Sequence, residues 1–292
     1  MNIWQHIQIE IQKTTDRPFT IKSRASVAGG DINQAVKIVG DRVSYFVKLN
    51  HDSNRAMFVQ ESVGLSALRE TNSFVVPQVI TAGTFNDTDY LILEYIEMKK
   101  HGDMKLFAKA LASLHLSTVS HFGFSSNNYI GRTSQINTLE KNWGRFFTEH
   151  RIAVQLGLLT KKDVSNSLTI KGKELIKKLP SYFSNHKPKP SLVHGDLWQG
   201  NYAFDQGGNP TIFDPACYYA DHEVDLAMLE LFGNPGHEFF ETYNQYYKIG
   251  EGYSERKKIY NLYHVLNHAN MFGGGYVPQT EQMIESILFE LG

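Results

Sequence analysis

The stretch Ser191 to Asn201, SLVHGDLWQGN, constrains this chain more than any other part of it. Leu192-Val193 reads as a short apolar strand running into His194-Gly195-Asp196, and Asn201 follows five residues after that Asp. Tyr202-Ala203-Phe204 reads as a strand, Asp205 to Pro210 as a turn rich in Gly and Asn, and Thr211-Ile212-Phe213 as the returning strand. Asp214-Pro215 closes the unit. Antiparallel pairing sets the start of one strand beside the end of the other. Asn201 and Asp214 are therefore expected to meet, with Asp196 a few residues upstream on the same loop. An amide oxygen and a carboxylate converging on one point suit a hard cation such as Mg²⁺. A second carboxylate nearby accepts a proton from a hydroxyl, and phosphoryl transfer from a nucleotide requires that combination.

Partners for this loop stand upstream. Arg42 to Leu49 alternates, with Val43, Tyr45 and Val47 on one face and Ser44, Phe46 and Lys48 on the other. A Lys on the inner face of an apolar strand needs an anionic partner, because burying an unpaired ammonium is costly. Glu61 is the candidate, near the middle of a helical pattern from Asn54 to Leu68. Taken alone, a snorkelling Lys48 and a surface Glu61 is the plainer reading; the downstream Asp-Asn-Asp set shifts the balance. Between the first two strands, Ala28-Gly29-Gly30-Asp31 reads as a glycine turn whose backbone N–H groups would cover phosphates. Gly29 and Gly30 are a weak signal, since the turn lacks a full G-x-G-x-x-G.

In chain order these elements spell a kinase-like phosphotransferase. Lys48 neutralises phosphate charge and is oriented by Glu61, Asn201 and Asp214 hold Mg²⁺, and Asp196 deprotonates the acceptor hydroxyl. Gln78 to Gly83 and Tyr90 to Glu94 add strands, giving about five antiparallel strands and one helix in residues 1–95. Residues 96–292 are mainly helical, after a polar break at Lys99 to Asp103. The expected fold is α+β and two-lobed, protein-kinase-like: a small antiparallel β lobe with one helix that binds nucleotide, then a larger helical lobe with the catalytic loop and substrate site. Ser117 to Arg151 reads as a long ordered loop, in which Trp143, Phe146 and Phe147 have the spacing of helical core residues. His194 is expected to hold its loop by a backbone hydrogen bond, and Asp225 to steady that loop.

The bulk numbers exclude other classes. Net charge is −1 over 292 residues, which argues against a nucleic-acid or acidic-membrane partner. The one cysteine, Cys217, forbids an intramolecular disulfide and points to the cytoplasm. No secretory signal opens the chain and no apolar run approaches a membrane span. Nothing in the sequence sets an oligomeric state.

On these residues the chain resembles the fructosamine (ketosamine) kinases, within the aminoglycoside-phosphotransferase and choline-kinase-like group. The strongest matches are HGDLWQGN (His194 to Asn201) and DPACYYADHEVDLAML (Asp214 to Leu229). FVKLN at Phe46 to Asn50, the Phe58 to Leu68 helix, F-G-F…I-G…Q-I-N…W-x-x-F-F-x-x-H-R from Phe122 to Arg151, and Asn267 to Gly273 agree in order. The resemblance implies a kinase that uses ATP and Mg²⁺ to phosphorylate a sugar hydroxyl, typically O3, of a ketosamine or glycated amine. Such a product eliminates phosphate and releases the amine, which reverses glycation. It also implies that Glu94, Tyr95 and Ile96 form an adenine-contacting hinge. The glycine turn carries no cysteine, so the redox switch of some relatives is not expected. Trp198, two positions after the base, either stacks on the substrate's sugar or amine or packs under the loop. Two alternatives stay open: a kinase of the same superfamily acting on an aminoglycoside, choline or a sugar, and a nucleotide-binding pseudokinase scaffold.

Overall fold

The computed structural model describes residues 1–27, 34–51, 55–162 and 164–292. The chain opens with α1 (Ile3–Thr15), whose start is fixed by a capping box: Asn2 Oδ1 accepts the N–H of Trp4 and Gln5, and Gln5 Oε1 accepts that of Asn2. Strands β1 (Ser23–Ser26), β2 (Gln34–Val39) and β3 (Ser44–Asn50) precede α2 (Arg55–Glu70). Then come β4 (Val79–Phe85) and β5 (Thr88–Glu94). The five strands form one antiparallel sheet in the order β1-β2-β3-β5-β4.

The period-two pattern decides what each sheet face covers. Val36, Ile38, Tyr45, Val47, Tyr90 and Ile92 cluster with Ile7 and Ile11 of α1. Leu91 and Leu93 join Phe58, Leu65 and Leu68 of α2 in the main core. Burying Ile7 and Ile11 completely favours docking of α1 by about 2 kcal/mol each. Lys48 points to the α2 face, as the alternation predicts, and is buried there.

The rest of the chain is helical around small sheets. Strand β6 (Met98–Lys99) leads to α3 (Met104–His115), β7 (Asn128–Ile130), β8 (Thr133–Gln135), α4 (Trp143–Phe147), α5 (Ala153–Leu159) and α6 (Asn166–Tyr182). Next are β9 (Ser191–Val193), β10 (Tyr202–Asp205), β11 (Pro210–Ile212) and β12 (Tyr218–Ala220). Helices α7 (Glu223–Leu231), α8 (His237–Tyr246), α9 (Tyr253–Phe272) and α10 (Tyr276–Leu291) complete it. The expected hairpin after the HGD loop is present: β10 and β11 pair antiparallel with Tyr202 opposite Ile212, and β6 adds to the outer edge. The α+β, two-lobed, kinase-like fold read from the sequence is the fold of the chain, with α1 on the sheet as a helix beyond the one expected in residues 1–95.

Two segments differ from the sequence reading. Residues 117–151 are not a loop throughout: β7 and β8 form a hairpin, and a helical turn carries Trp143, Phe146 and Phe147 into the core. Strands of three residues are too short to show a period. The stretch Lys161 to Pro180, whose sequence reads as a polar-faced helix, turns helical only at Asn166, because Ser165 caps α6 by accepting the N–H of Leu168. No helix among the described residues is long and apolar enough to cross a membrane.

Candidate active site

Lys48, Glu61 and Asp214 come from a strand, a helix and a loop and meet at one ammonium. Lys48 Nζ lies 2.6 Å from Glu61 Oε1 and 2.7 Å from Asp214 Oδ1. Burial would weaken this ammonium, but the two carboxylates outweigh it and hold its pKa above the usual lysine value. Burial raises the pKa of Glu61, with Lys48 pulling the other way. Asp214 sits at φ +58°, a left-handed backbone rare for a residue other than Gly. Pro215 follows it and the N–H of Ala216 bonds back to His194 O at 2.9 Å, so the turn is held from both sides.

The HGD loop is built from backbone donors that find buried acceptors. Asp225 accepts the N–H of His194 at 2.7 Å and that of Gly195 at 2.9 Å, and contacts His115 Nε2 at 3.2 Å. Burial alone would raise the pKa of Asp225, but the bond to His115, with the loop N–H groups, holds it below the usual carboxylate value. His194 Nε2–H donates to Phe213 O at 2.9 Å, while its Nδ1 accepts the N–H of Asp196 at 3.3 Å. That pattern is a neutral imidazole, and burial pushes its pKa down. His194 thus ties the Asp196 end of the loop to the residue before Asp214, in the anchoring role its place after a strand predicts. Gly195 has φ +81°, and a Cβ there would lie 2.2 Å from Ala216 O, so only Gly fits.

Asn201 and Asp196 are joined directly. Asn201 Nδ2 donates to Asp196 O at 2.8 Å and reaches Asp196 Oδ2 at 3.2 Å. Pairing of β10 with β11 sets Asn201 beside Phe213, whose N–H donates to Asn201 O at 3.1 Å. With its nitrogen engaged by Asp196, the side-chain oxygen of Asn201 is the atom left for another partner. That oxygen and the Asp214 carboxylate are hard donors of the kind a divalent cation takes, so the residues fit the expected metal. Burial, reinforced by the negative charge of Asp214, pushes the pKa of Asp196 up to about 7.

These groups line a cavity of about 420 Å³. Trp198 lines it as well, 37% exposed, with its ring edge-on to Phe232 at 6.2 Å. A Cβ on Gly200 would lie 2.4 Å from that ring, so the indole packs on the loop and still presents a face to the cavity. Glu94, Tyr95 and Ile96 are not among the cavity's lining residues. Glu94 Oε2 accepts the N–H of Gln78 at 3.2 Å, and Lys37 Nζ sits 3.8 Å over the Tyr95 ring. Gly29 and Gly30 lie outside the described residues. Cys217 is buried, its thiol pushed far up by desolvation, which suits an inert core residue.

The sequence reading missed His264. It lies on α9 with Nδ1 3.9 Å from Asp196 Oδ1, and burial lowers its pKa to about 3, so it faces the carboxylate as a neutral ring. Its neighbour His268 lines the same cavity and bonds His264 O through Nδ1 at 2.7 Å. The N-H-x-N-x-F-G run marked His268 without giving it a role, whereas His264 carries no local signal.

Comparison with known proteins gives the family of the chain. The fructosamine kinase family model matches residues 3–290. The chain is 41% identical over 290 residues to a probable ketoamine kinase of Synechocystis sp., covering 98% of this chain and 97% of that one. It is 38% identical over 279 residues to the chloroplastic protein-ribulosamine 3-kinase of Arabidopsis thaliana, covering 94% and 85% respectively. The crystal structure of a fructosamine-3-kinase candidate from Haemophilus somnus superposes with a TM-score of 0.89 at 30% identity, covering 98% of this chain and all of that one. A thermostable mutant of the aminoglycoside phosphotransferase APH(4)-Ia shares the fold alone, with a TM-score of 0.64 at 13% identity over 97% of this chain and 98% of that one. A family model matching nearly the whole chain, together with relatives at about this identity over most of their own length, decides the assignment: the chain belongs to the fructosamine kinase family.

Proposed function

We infer that this chain is an ATP-dependent kinase of ketosamines, transferring the γ-phosphoryl group to a sugar hydroxyl, O3 in this reading. The observation that carries it is the convergence of Lys48, Glu61, Asp214, Asn201 and Asp196 on one cavity. Names of the relatives, ketoamine kinase and protein-ribulosamine 3-kinase, support the acceptor class. In this reading residues 1–95 bind nucleotide, with the backbone of Glu94 to Ile96 on the adenine and the turn at Gly29 and Gly30 over the phosphates. Residues 96–292 bring the catalytic loop and the acceptor.

Each side chain then has one task. Lys48 places its ammonium on nucleotide phosphate and is aimed by Glu61. Asn201 and Asp214 would hold Mg²⁺, which when bound offsets phosphate charge. Asp196 orients the acceptor hydroxyl and takes its proton as the new O–P bond forms and the bond to the ADP oxygen breaks. A pKa near 7 suits a base that must be ionised before transfer and protonated after it. Trp198 offers its exposed face to the sugar or its amine. The chain would work in the cytoplasm, where a lone buried cysteine stays reduced. Incubation with ATP, Mg²⁺ and fructoselysine or ribuloselysine, followed by phosphorus NMR, should show a new phosphomonoester and ADP. Nucleotide binding without transfer to any ketosamine would sink the assignment.

A further inference from the structure

The β7–β8 hairpin is fastened by a buried polar network that the chemistry above does not use. Asn128 Nδ2 donates to Cys217 O at 2.8 Å, and Asn128 Oδ1 accepts from both Gln135 Nε2 and Asn137 Nδ2 at 2.8 Å. Gln135 Nε2 also reaches Ala216 O at 3.1 Å, and the Tyr263 hydroxyl donates to Gln135 Oε1 at 2.7 Å. Arg151 completes the set, donating to Asn137 Oδ1 at 2.8 Å and to Ile136 O at 2.6 Å. Its guanidinium lies 4.0 Å over the Tyr218 ring. Asn128, Gln135, Asn137 and Arg151 are all at most 5% exposed. A network this buried fixes one geometry, because any shift would leave polar groups without partners.

What it fixes is a wall of the cavity that Trp198 also lines. Tyr129 and Ile130 of the hairpin line that cavity together with Asp196. On one side the hairpin meets α2, where Ser126 Oγ donates to Gln60 Oε1 at 2.6 Å. On the other it meets α9, where Asn267 Nδ2 reaches Ile130 O at 3.4 Å, one turn from His264. The proposed hinge lies elsewhere. Glu94 pairs with Tyr45 and Leu91 with Lys48, so the hinge is about 10 Å along the sheet from Lys48, and the hairpin belongs to the side of α2 and Asp196.

We propose that the hairpin is the acceptor-side wall of the active site and that Tyr129 is a specificity-determining residue, its half-buried ring packing on the sugar-amine adduct, with Gln135 positioning it from behind. The proposal rests on the ketosamine kinase reading. The test is steady-state kinetics with ATP-Mg and fructoselysine for the wild type, Tyr129→Ala, Tyr129→Phe and Gln135→Met, with melting temperatures measured alongside. Tyr129→Ala should raise KM for fructoselysine about tenfold while KM for ATP stays within about twofold, and Tyr129→Phe should restore it. Gln135→Met, which touches neither substrate, should show the same selective rise. Should that variant fail to fold, Tyr129→Ala decides. The two KM values rising together, or neither moving, would overturn the proposal while the wild type remains active. A wild type that leaves fructoselysine unphosphorylated would overturn the functional reading itself, and this inference with it.

Discussion

Lys48 Nζ and Asp214 Oδ1 lie 2.7 Å apart although 166 positions separate them in the chain. This contact joins the β-sheet to the turn after the β10–β11 hairpin, and Glu61 on α2 completes it from the other side. Removing the cation would leave two carboxylates facing each other in a partly buried site. Lys48→Met should therefore lower kcat/KM for ATP by at least about a hundredfold and lower the melting temperature. Glu61→Gln keeps the Lys48–Asp214 pair and should cost about tenfold. Nucleotide-dependent kinetics and thermal melts of both variants check the order.

Asp225 accepts two loop N–H groups that have been withdrawn from water. Asp225→Ala should destabilise the protein by about 3 kcal/mol, since each orphaned buried donor costs about 1–3 kcal/mol. Urea denaturation measures the loss directly. Turnover should fall further than stability explains, because the same bonds fix the backbone that carries Asp196.

Gly195→Ala should be harsher for function. Its Cβ would meet Ala216 O at 2.2 Å, and a backbone at φ +81° disfavours any side chain. Either the HGD loop or the turn after Asp214 must move. Phosphoryl transfer should fall at least about a hundredfold, since an error near 1 Å in placement costs that much. Near-wild-type turnover would show that the loop tolerates the shift.

Asp196 carries a cost at rest. Its pKa is about 7 in the folded protein and near 3.8 as a free side chain, so the folded state holds the proton more tightly. Stability from this group is fully present below pH 3.8 and is lost as pH rises through 7. In metal-free buffer at pH 8, Asp196→Asn should therefore be more stable than wild type, by an amount on the order of 2 kcal/mol. That advantage should shrink toward zero as pH falls to 4. Melting curves across that range test it, and an Asn variant less stable at pH 8 would contradict the account.

Legibility in the sequence followed locality. His194, Asp196, Asn201 and Asp214 were readable because a strand, a turn and a hairpin carry them at fixed spacing, and antiparallel pairing places the ends together. Lys48 was readable because an ammonium on an apolar strand face demands a partner. His264 was not, since α9 is buried almost all round from Ile259 to Ala269 and shows no contrast between faces. Tyr129 and Gln135 were hidden for another reason. Their strands have three residues each, and the acceptors that hold them, Ala216 and Cys217, lie some eighty to ninety positions downstream.

The central claim is that Asp196 takes a proton from a ketosamine hydroxyl while Lys48, Asn201 and Asp214 manage the nucleotide. The most direct measurement is the rate of fructoselysine phosphorylation by wild type and Asp196→Asn, with ATP affinity determined for both. Wild type should phosphorylate fructoselysine, and the variant should lose about a thousandfold or more in kcat while binding ATP as well as before. A variant that turns over at the wild-type rate, or a wild type that leaves fructoselysine untouched, would contradict the account.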